Sequence, residues 1–149
     1  MAHVRSAMLC DFAQVREGLL FVSSGGITRV AAPGPGAPVS ISVAGELEVL
    51  PFEAGTSHEI TFKVSVVETS TVVWEAALSI STSADPGGLF PGESLHVPFA
   101  LPVGPFPATA FGPHDLKVSI DNSETELLTF YVLQMVNGNG DDLPDAGFG

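Results

Sequence analysis

The sequence predicts an all-β fold, a single antiparallel β-sandwich of about eight or nine strands. From Val39 onward, apolar and polar residues alternate one by one, as in residues 59–66, and a period of two is typical of half-buried strands. Gly, Pro, Asn and Ser interrupt these runs at short intervals. The length of 149 residues is that of one domain, and 45% hydrophobic residues can form its core. Immunoglobulin-like and C2-like strand orders share this pattern, so both stay open.

The N-terminal part is predicted to hold short strands separated by turns. The first strand is expected to place Cys10 and Phe12 on its inward face. Residues 13–18 should form a turn or a single helical turn, and Gly25-Gly26 should break or bulge the following strand. Pro and Gly make residues 31–38 a loop. The strands predicted here are 4–12, 19–23 and 27–30.

The remaining strands follow the alternation more regularly. Pro98 lacks a donor N–H, which predicts an edge position for its strand. Asp121-Asn122-Ser123-Glu124 should form the turn of the last hairpin. The domain is expected to span residues 1–136, and residues 137–149 to form a flexible, acidic, Gly-rich tail. The predicted strands are 39–49, 58–67, 72–82, 95–101, 114–121 and 126–135.

The charge is strongly negative and unevenly distributed. The net charge is −12; residues 1–31 carry three arginines against two acids, whereas residues 32–149 carry two lysines against fifteen acids. Such a surface repels phosphates, which argues against nucleic acid or an anionic membrane as a partner. Its simplest role is solubility, and a cationic partner is the alternative.

Few features of the sequence indicate the cellular compartment. The single cysteine, Cys10, excludes an intramolecular disulfide, and Asp11 interrupts the first apolar stretch before it reaches signal-peptide length. Residues 94–113 are uncharged but contain five prolines, so they cannot form a continuous membrane-spanning helix. We expect a soluble, cytoplasmic protein.

Two segments resemble known families. Leu9-Cys10-Asp11-Phe12-Ala13, Glu17-Gly18-Leu19-Leu20-Phe21-Val22 and Gly25-Gly26-Ile27-Thr28-Arg29 resemble the opening of an uncharacterised bacterial family of β-sandwich proteins of unknown function. The chain departs from that pattern at Arg29-Val30. The resemblance implies a β-sandwich and carries no activity. Residues 112–132 are similar to the last hairpin of many immunoglobulin-like domains, where Tyr often stands in place of His114.

No residue pattern predicts catalysis, a cofactor or a metal. Cys10 falls on the inward face of a strand, where an inert core thiol is expected, and no Gly-x-Ser-x-Gly elbow is present. The four histidines lack mutual ligand spacing. Residues 137–142 have the oxygen spacing of a calcium loop, but Asp142 replaces its required glycine and Phe148 its last glutamate. We therefore expect a non-enzymatic protein.

The apolar loops predict an interaction surface. Phe90 lies in a loop at residues 85–92, and Phe106 and Phe111 lie in an uncharged, Pro-rich loop at residues 103–113. Such a loop either covers an open end of the core or contacts a partner. With Pro98 at an edge, these residues predict a structural or protein-interaction module that self-associates or binds another protein. The alternative is a sandwich that binds a cation or a small ligand through acidic loops.

Overall fold

The chain folds into strands throughout the part that the structure describes. A computed structural model describes residues 2–82 and 88–135, and one turn of 3-10 helix, Pro51–Glu53, joins the fifth and sixth strands. The all-β class is therefore confirmed. The strands are β1 (His3–Cys10), β2 (Phe12–Arg16), β3 (Leu19–Ser23), β4 (Arg29–Ala32), β5 (Pro38–Val49), β6 (Ser57–Val66), β7 (Val72–Ser81), β8 (Leu95–Pro107), β9 (Gly112–Ile120) and β10 (Ser123–Gln134).

The strands form three sheets. One has the order β1-β5-β8, the second the order β4-β10-β9-β6-β7, and the third is the hairpin β2-β3. All neighbouring strands are antiparallel except β4 and β10, which pair in parallel. The sequence did not reveal this long-range parallel pair, because a strand of four residues is too short to show a clear alternation of apolar and polar residues.

A single core draws side chains from both larger sheets. Phe62 of β6 packs against Phe99 of β8 with ring centroids 5.5 Å apart, which joins the two sheets. Farther along, the imidazole of His114 lies beside the rings of Phe106 and Phe130, at 6.1 and 5.6 Å. All five of these side chains are buried.

The middle of β5 requires a residue without a side chain. A Cβ built on Gly45 would lie 2.2 Å from the carbonyl oxygen of Ser6 and 2.6 Å from the ring of Phe99. Glycine therefore lets β1 approach β5 while the Phe99 ring covers the same point.

Several predicted boundaries are wrong. Residues 4–12 are two strands, because Asp11 separates β1 from β2, and residues 13–16 continue β2 where we expected a turn. β8 continues to Pro107, so residues 103–107 are strand although a loop was predicted. Prolines are tolerated there because β8 is at the edge of its sheet.

Other predictions are confirmed. β8, which contains Pro98, is an edge strand. The turn predicted at residues 121–124 is confirmed for Asp121 and Asn122, with φ of 49° and 69°, whereas Ser123 and Glu124 already belong to β10. These angles belong to a type I′ turn, for which Asp and Asn are well suited. The predicted tail, residues 137–149, lies outside the described residues.

Candidate functional site

The β2-β3 hairpin forms a separate small sheet. Its five cross-strand pairs run from Phe12 opposite Ser23 to Arg16 opposite Leu19. Glu17 and Gly18 form its turn with φ of 52° and 74°, the left-handed pair of a type I′ turn. The hairpin lies against β5 and β8. Its ladder joins no strand of the other two sheets in the ranges that the structure describes.

Large apolar side chains of this hairpin remain in solvent. Directly opposite residues share a face, so Phe12, Phe21 and Leu19 lie on one face and are 56%, 49% and 63% exposed. The other face contributes Val15 and Val22. We call the following set the hairpin patch: Met8, Phe12, Val15, Leu19, Phe21 and Val22, all of them exposed.

Met8 extends the patch onto β1. A Cβ built on Gly25 would lie 2.7 Å from the sulfur of Met8 and 3.1 Å from a methyl group of Val22. The thioether thus lies over a glycine beside the hairpin. Because methionine is flexible and polarisable, it adapts readily to a partner surface.

The hairpin strands are poor in charge. Arg16 is the one charged residue within β2 and β3, in a molecule of net charge −12. Its guanidinium lies 5.9 Å from the centroid of the Phe21 ring, the geometry of a cation–π contact. The patch is therefore apolar, and the cation of Arg16 and the acid of Glu17 lie side by side at its turn end. Complete burial of such a side chain contributes about 1.5–3 kcal/mol, and because these are already about half-buried, each would contribute about half of that.

Two of the predicted interface residues, Phe106 and Phe111, pack against the core. Phe106 is 1% exposed and Phe111 is half-buried against the core. The expectation that Phe106 contacts a partner is corrected, because β8 carries its ring inward between His114 and Phe130. Of the two alternatives for this segment, the one that covers the core describes Phe106.

The other two predicted residues are more accessible. Phe90 is 80% exposed, and its backbone N–H donates to a carboxylate oxygen of Glu93 at 2.8 Å. It borders a surface crevice of about 210 Å³ that Pro51, Leu89 and Pro91 also line. Pro98 is half-buried on the edge strand β8. Because Phe106 is buried, it cannot share an accessible surface with Phe90 or Pro98.

The sequence contains a signal for the hairpin that a search for alternation alone does not detect. Glu17-Gly18 separates two short apolar runs by two residues, which is the spacing of a tight β-hairpin. Residues 13–18 resemble a turn because Gln14 and Arg16 interrupt the apolar run. The exposure of the patch has no signal in sequence, since Phe12 and Phe21 alternate just as core residues do.

Two buried ionisable side chains, Cys10 and His114, lie in the core. Burial, and then the Asp11 carboxylate, raise the pKa of the Cys10 thiol above its usual value. Its sulfur lies 3.6 Å from the carbonyl oxygen of Ser42. His114 is fully buried, with Nδ1 3.0 Å from the carbonyl oxygen of Gly112. A raised pKa keeps the Cys10 thiol protonated, whereas a nucleophilic cysteine needs a thiolate.

His58 and Asp121 form a close pair beside the β9-β10 turn. Nδ1 of His58 lies 2.7 Å from Asp121 Oδ2, and the backbone N–H of Glu59 donates to Oδ1 at 3.1 Å. The hydrogen bond from His58 is the main reason that the pKa of Asp121 is lowered; burial opposes this shift, and the bond from Glu59 adds to it. The carboxylate therefore fastens the turn to β6.

A second polar cluster lies on the outer face of the β1-β5-β8 sheet. Arg5 donates to Nε2 of His96 at 2.9 Å, and Nδ1 of His96 lies 2.9 Å from Glu46 Oε1. These contacts assign the Nδ1–H tautomer to His96. His3 lies 3.6 Å from Glu48 in the same row. The charged and polar groups of this cluster contact one another across neighbouring strands, as cross-strand ion pairs do.

The described part of the chain holds neither a metal cluster nor a membrane-spanning helix. Within residues 2–82 and 88–135, no group of three His, Cys, Asp or Glu side chains is arranged to hold a metal ion. Among the same residues, no helix is long and apolar enough to cross a membrane.

Comparison with known proteins places the chain in a family. No curated protein matches it. The model of a family of unknown function, DUF6941, matches residues 5–133. That range includes β2 to β9 in full, all but the first two residues of β1 and all but the last residue of β10. The match covers most of the chain and takes in the hairpin patch. The chain therefore belongs to the family of unknown function DUF6941.

Proposed function

We propose that this protein is a non-enzymatic interaction module that assembles from copies of itself, with the hairpin patch as the contact surface. The two larger sheets then act as a β-sandwich that presents the hairpin. The observation that carries the proposal is the exposure of six large apolar side chains on and beside one hairpin, of which Phe12, Leu19 and Phe21 share one face. Clustered apolar surface of this kind marks interaction sites far more often than single exposed residues do.

Charge supports a second copy as the occupant. Two molecules of net charge −12 repel each other, and the repulsion is smallest where acids are absent. The strands of the hairpin contain no acid. Arg16 at their turn end can meet a carboxylate of the neighbouring copy, whose residues 32–149 hold fifteen acids. A C2 arrangement brings the same patch of both copies together.

Other partners remain outcomes of the test. A different protein with an apolar face would bind the same patch without changing the mass of the isolated chain. For the cation-binding alternative, no group of three His, Cys, Asp or Glu side chains among the described residues could hold a metal ion, and the calcium-like residues 137–142 lie outside the described residues. The single cysteine and the resemblance to bacterial chains support a bacterial cytoplasm as the setting.

The experiment is a native mass measurement by light scattering on a sizing column. The double variant Phe12→Ser/Phe21→Ser removes the aromatic part of the hairpin patch. Phe52→Ser/Phe90→Ser is the matched control, because these two phenylalanines are 79% and 80% exposed and lie outside the patch. Circular dichroism and thermal melting establish that each variant is folded.

We expect the native protein and the control to have the same mass, well above 15.4 kDa, and the hairpin variant to have a lower mass. A native protein that is monomeric at every concentration would exclude self-assembly. A hairpin variant that is folded and keeps the native mass would exclude the hairpin patch as the contact.

A further inference from the structure

Met8 is an oxidisable side chain at the base of the β2-β3 hairpin. It is 41% exposed, so a small oxidant in solution can reach it. Its sulfur lies 2.7 Å from a Cβ built on Gly25, and a methyl group of Val22 lies 3.1 Å from the same point. Val22 belongs to β3, and Gly25 follows that strand. The thioether therefore occupies the space that the missing side chain of Gly25 leaves between β1 and the end of the hairpin.

Backbone hydrogen bonds connect the hairpin to the rest of the molecule at this same base. The N–H of Asp11 donates to the carbonyl oxygen of Ser23 at 3.2 Å. The N–H of Gly26 donates to the carbonyl oxygen of Leu9 at 2.9 Å, and Met8 directly precedes Leu9 in β1. Because the hairpin has a ladder of its own, these bonds and the side chains beside them determine how it lies against β1.

Oxidation changes this contact from apolar to polar. A lone pair of the sulfur attacks one oxygen of hydrogen peroxide, so that an S–O bond forms as the O–O bond breaks. The second oxygen leaves as hydroxide and takes the proton of the transferred oxygen to give water. The sulfur loses two electrons and the peroxide gains them. The sulfoxide is strongly polar, and contact with Gly25 and the Val22 methyl group would remove part of its hydration. We therefore expect the oxidised side chain to leave the space beside Gly25.

We propose that Met8 is a modification site, and that its oxidation to the sulfoxide loosens the β2-β3 hairpin from β1. A reductase that uses two thiols restores the thioether, with a disulfide and water as the other products. The inference concerns the single chain and requires no partner. In the self-assembly proposed above, Met8 belongs to the hairpin patch, so oxidation of a free copy would also weaken assembly.

Met135 is a matched control within the same chain. It is 42% exposed and follows β10, which belongs to the sheet that does not contain β1. Met8→Leu and Met135→Leu each remove one sulfur and keep an apolar side chain of similar volume. Met8→Gln places a polar, unbranched side chain beside Gly25 without any oxidant. Met1 is present in every variant, so its oxidation is common to all of them.

Hydrogen exchange through residues 12–23 is the readout, measured at low protein concentration before and after treatment with hydrogen peroxide. Peptide mass spectrometry identifies the oxidised methionines. In the native protein and in Met135→Leu, we expect the hairpin amides to exchange about fivefold faster after oxidation while β6 is unchanged, because a small hairpin opens locally. Met8→Leu should not respond to peroxide. Untreated Met8→Gln should exchange as the oxidised native protein does.

The inference is overturned if Met8 resists oxidation under conditions that oxidise Met135, or if oxidised Met8 leaves the exchange of the hairpin unchanged. It is also overturned if Met8→Leu responds to peroxide as the native protein does, or if β6 accelerates together with the hairpin, which would indicate global destabilisation. None of these outcomes depends on assembly. A native protein that is monomeric at every concentration contradicts the proposed self-assembly and does not affect this test.

Discussion

At the scale of the residue, burial separates phenylalanines that are indistinguishable in the sequence. Phe106 is enclosed by His114, Phe130 and the rest of the core, whereas Phe52 is almost fully in solvent. Removing a buried ring costs its transfer free energy together with a cavity. The consequence of a substitution therefore depends on position and not on residue type.

We predict that Phe106→Ala lowers the free energy of unfolding by about 3–5 kcal/mol. Phe52→Ala should change it by less than about 0.5 kcal/mol, since it alters exposed surface only. Urea denaturation followed by circular dichroism measures both. Equal effects of the two substitutions would contradict the burial of Phe106.

Asp121 is predicted to contribute stability that depends on pH. Its pKa is lowered on folding, so its contribution is present above the ordinary value of 3.8 and is lost as the pH falls through the lowered value. Asp121→Asn should destabilise the protein at pH 6 to 7, and the difference from the native protein should shrink as the pH approaches 3. Asn keeps the positive φ of the turn. Thermal melting across this range tests the prediction; a difference that is constant with pH would contradict it.

At the scale of the element, the β2-β3 turn depends on one left-handed glycine. Gly18 has a φ of 74°, and a Cβ built there meets nothing within 4 Å, so the cost of alanine is one of backbone conformation alone. We predict that Gly18→Ala destabilises the protein by about 1–2 kcal/mol.

Gly34 provides the matched control for this prediction. A Cβ built there is equally unobstructed, and its φ lies outside the left-handed region. Gly34→Ala should be neutral or stabilise by about 0.4–1 kcal/mol. Chemical denaturation measures the free energy of unfolding of both variants. A Gly18→Ala variant as stable as Gly34→Ala would contradict the type I′ turn.

Most strands and one turn could be predicted from the sequence. The strands from β5 onward were predicted because each buries one face. Apolar and polar residues therefore alternate along them with a period of two. β10 and β9 were joined correctly, because Asp121-Asn122 forms their turn locally. The N-terminal boundaries were wrong, because Asp11 separates β1 from β2, and because Gln14 and Arg16 made the second half of β2 resemble a turn. The end of β8 was missed, because prolines at a sheet edge resemble a loop.

The sequence predicted the type of candidate site, a surface of exposed phenylalanines, but not the residues that form it. Exposed phenylalanines as the basis of an interaction were inferred from Phe90, Phe106 and Phe111. The hairpin patch itself depends on how β2 and β3 lie against β5 and β8, which is a long-range property. That placement is not encoded by local spacing.

At the scale of the whole molecule, the net charge opposes the proposed self-assembly. Each copy carries −12, so in the proposed assembly the apolar contacts of the hairpin patch have to exceed the repulsion between copies. Salt screens that repulsion, with a Debye length of about 8 Å at physiological ionic strength. We predict that self-assembly strengthens as sodium chloride is raised. Binding of a cationic partner would weaken under the same change, so the direction of the salt effect identifies the kind of contact.

Self-assembly is tested most directly by the native mass of the purified protein, measured by light scattering over a concentration series at low and at physiological salt. We predict a mass well above the 15.4 kDa of one chain, rising with concentration and with salt. A mass of one chain under every condition would contradict self-assembly and would assign the hairpin patch to a different partner.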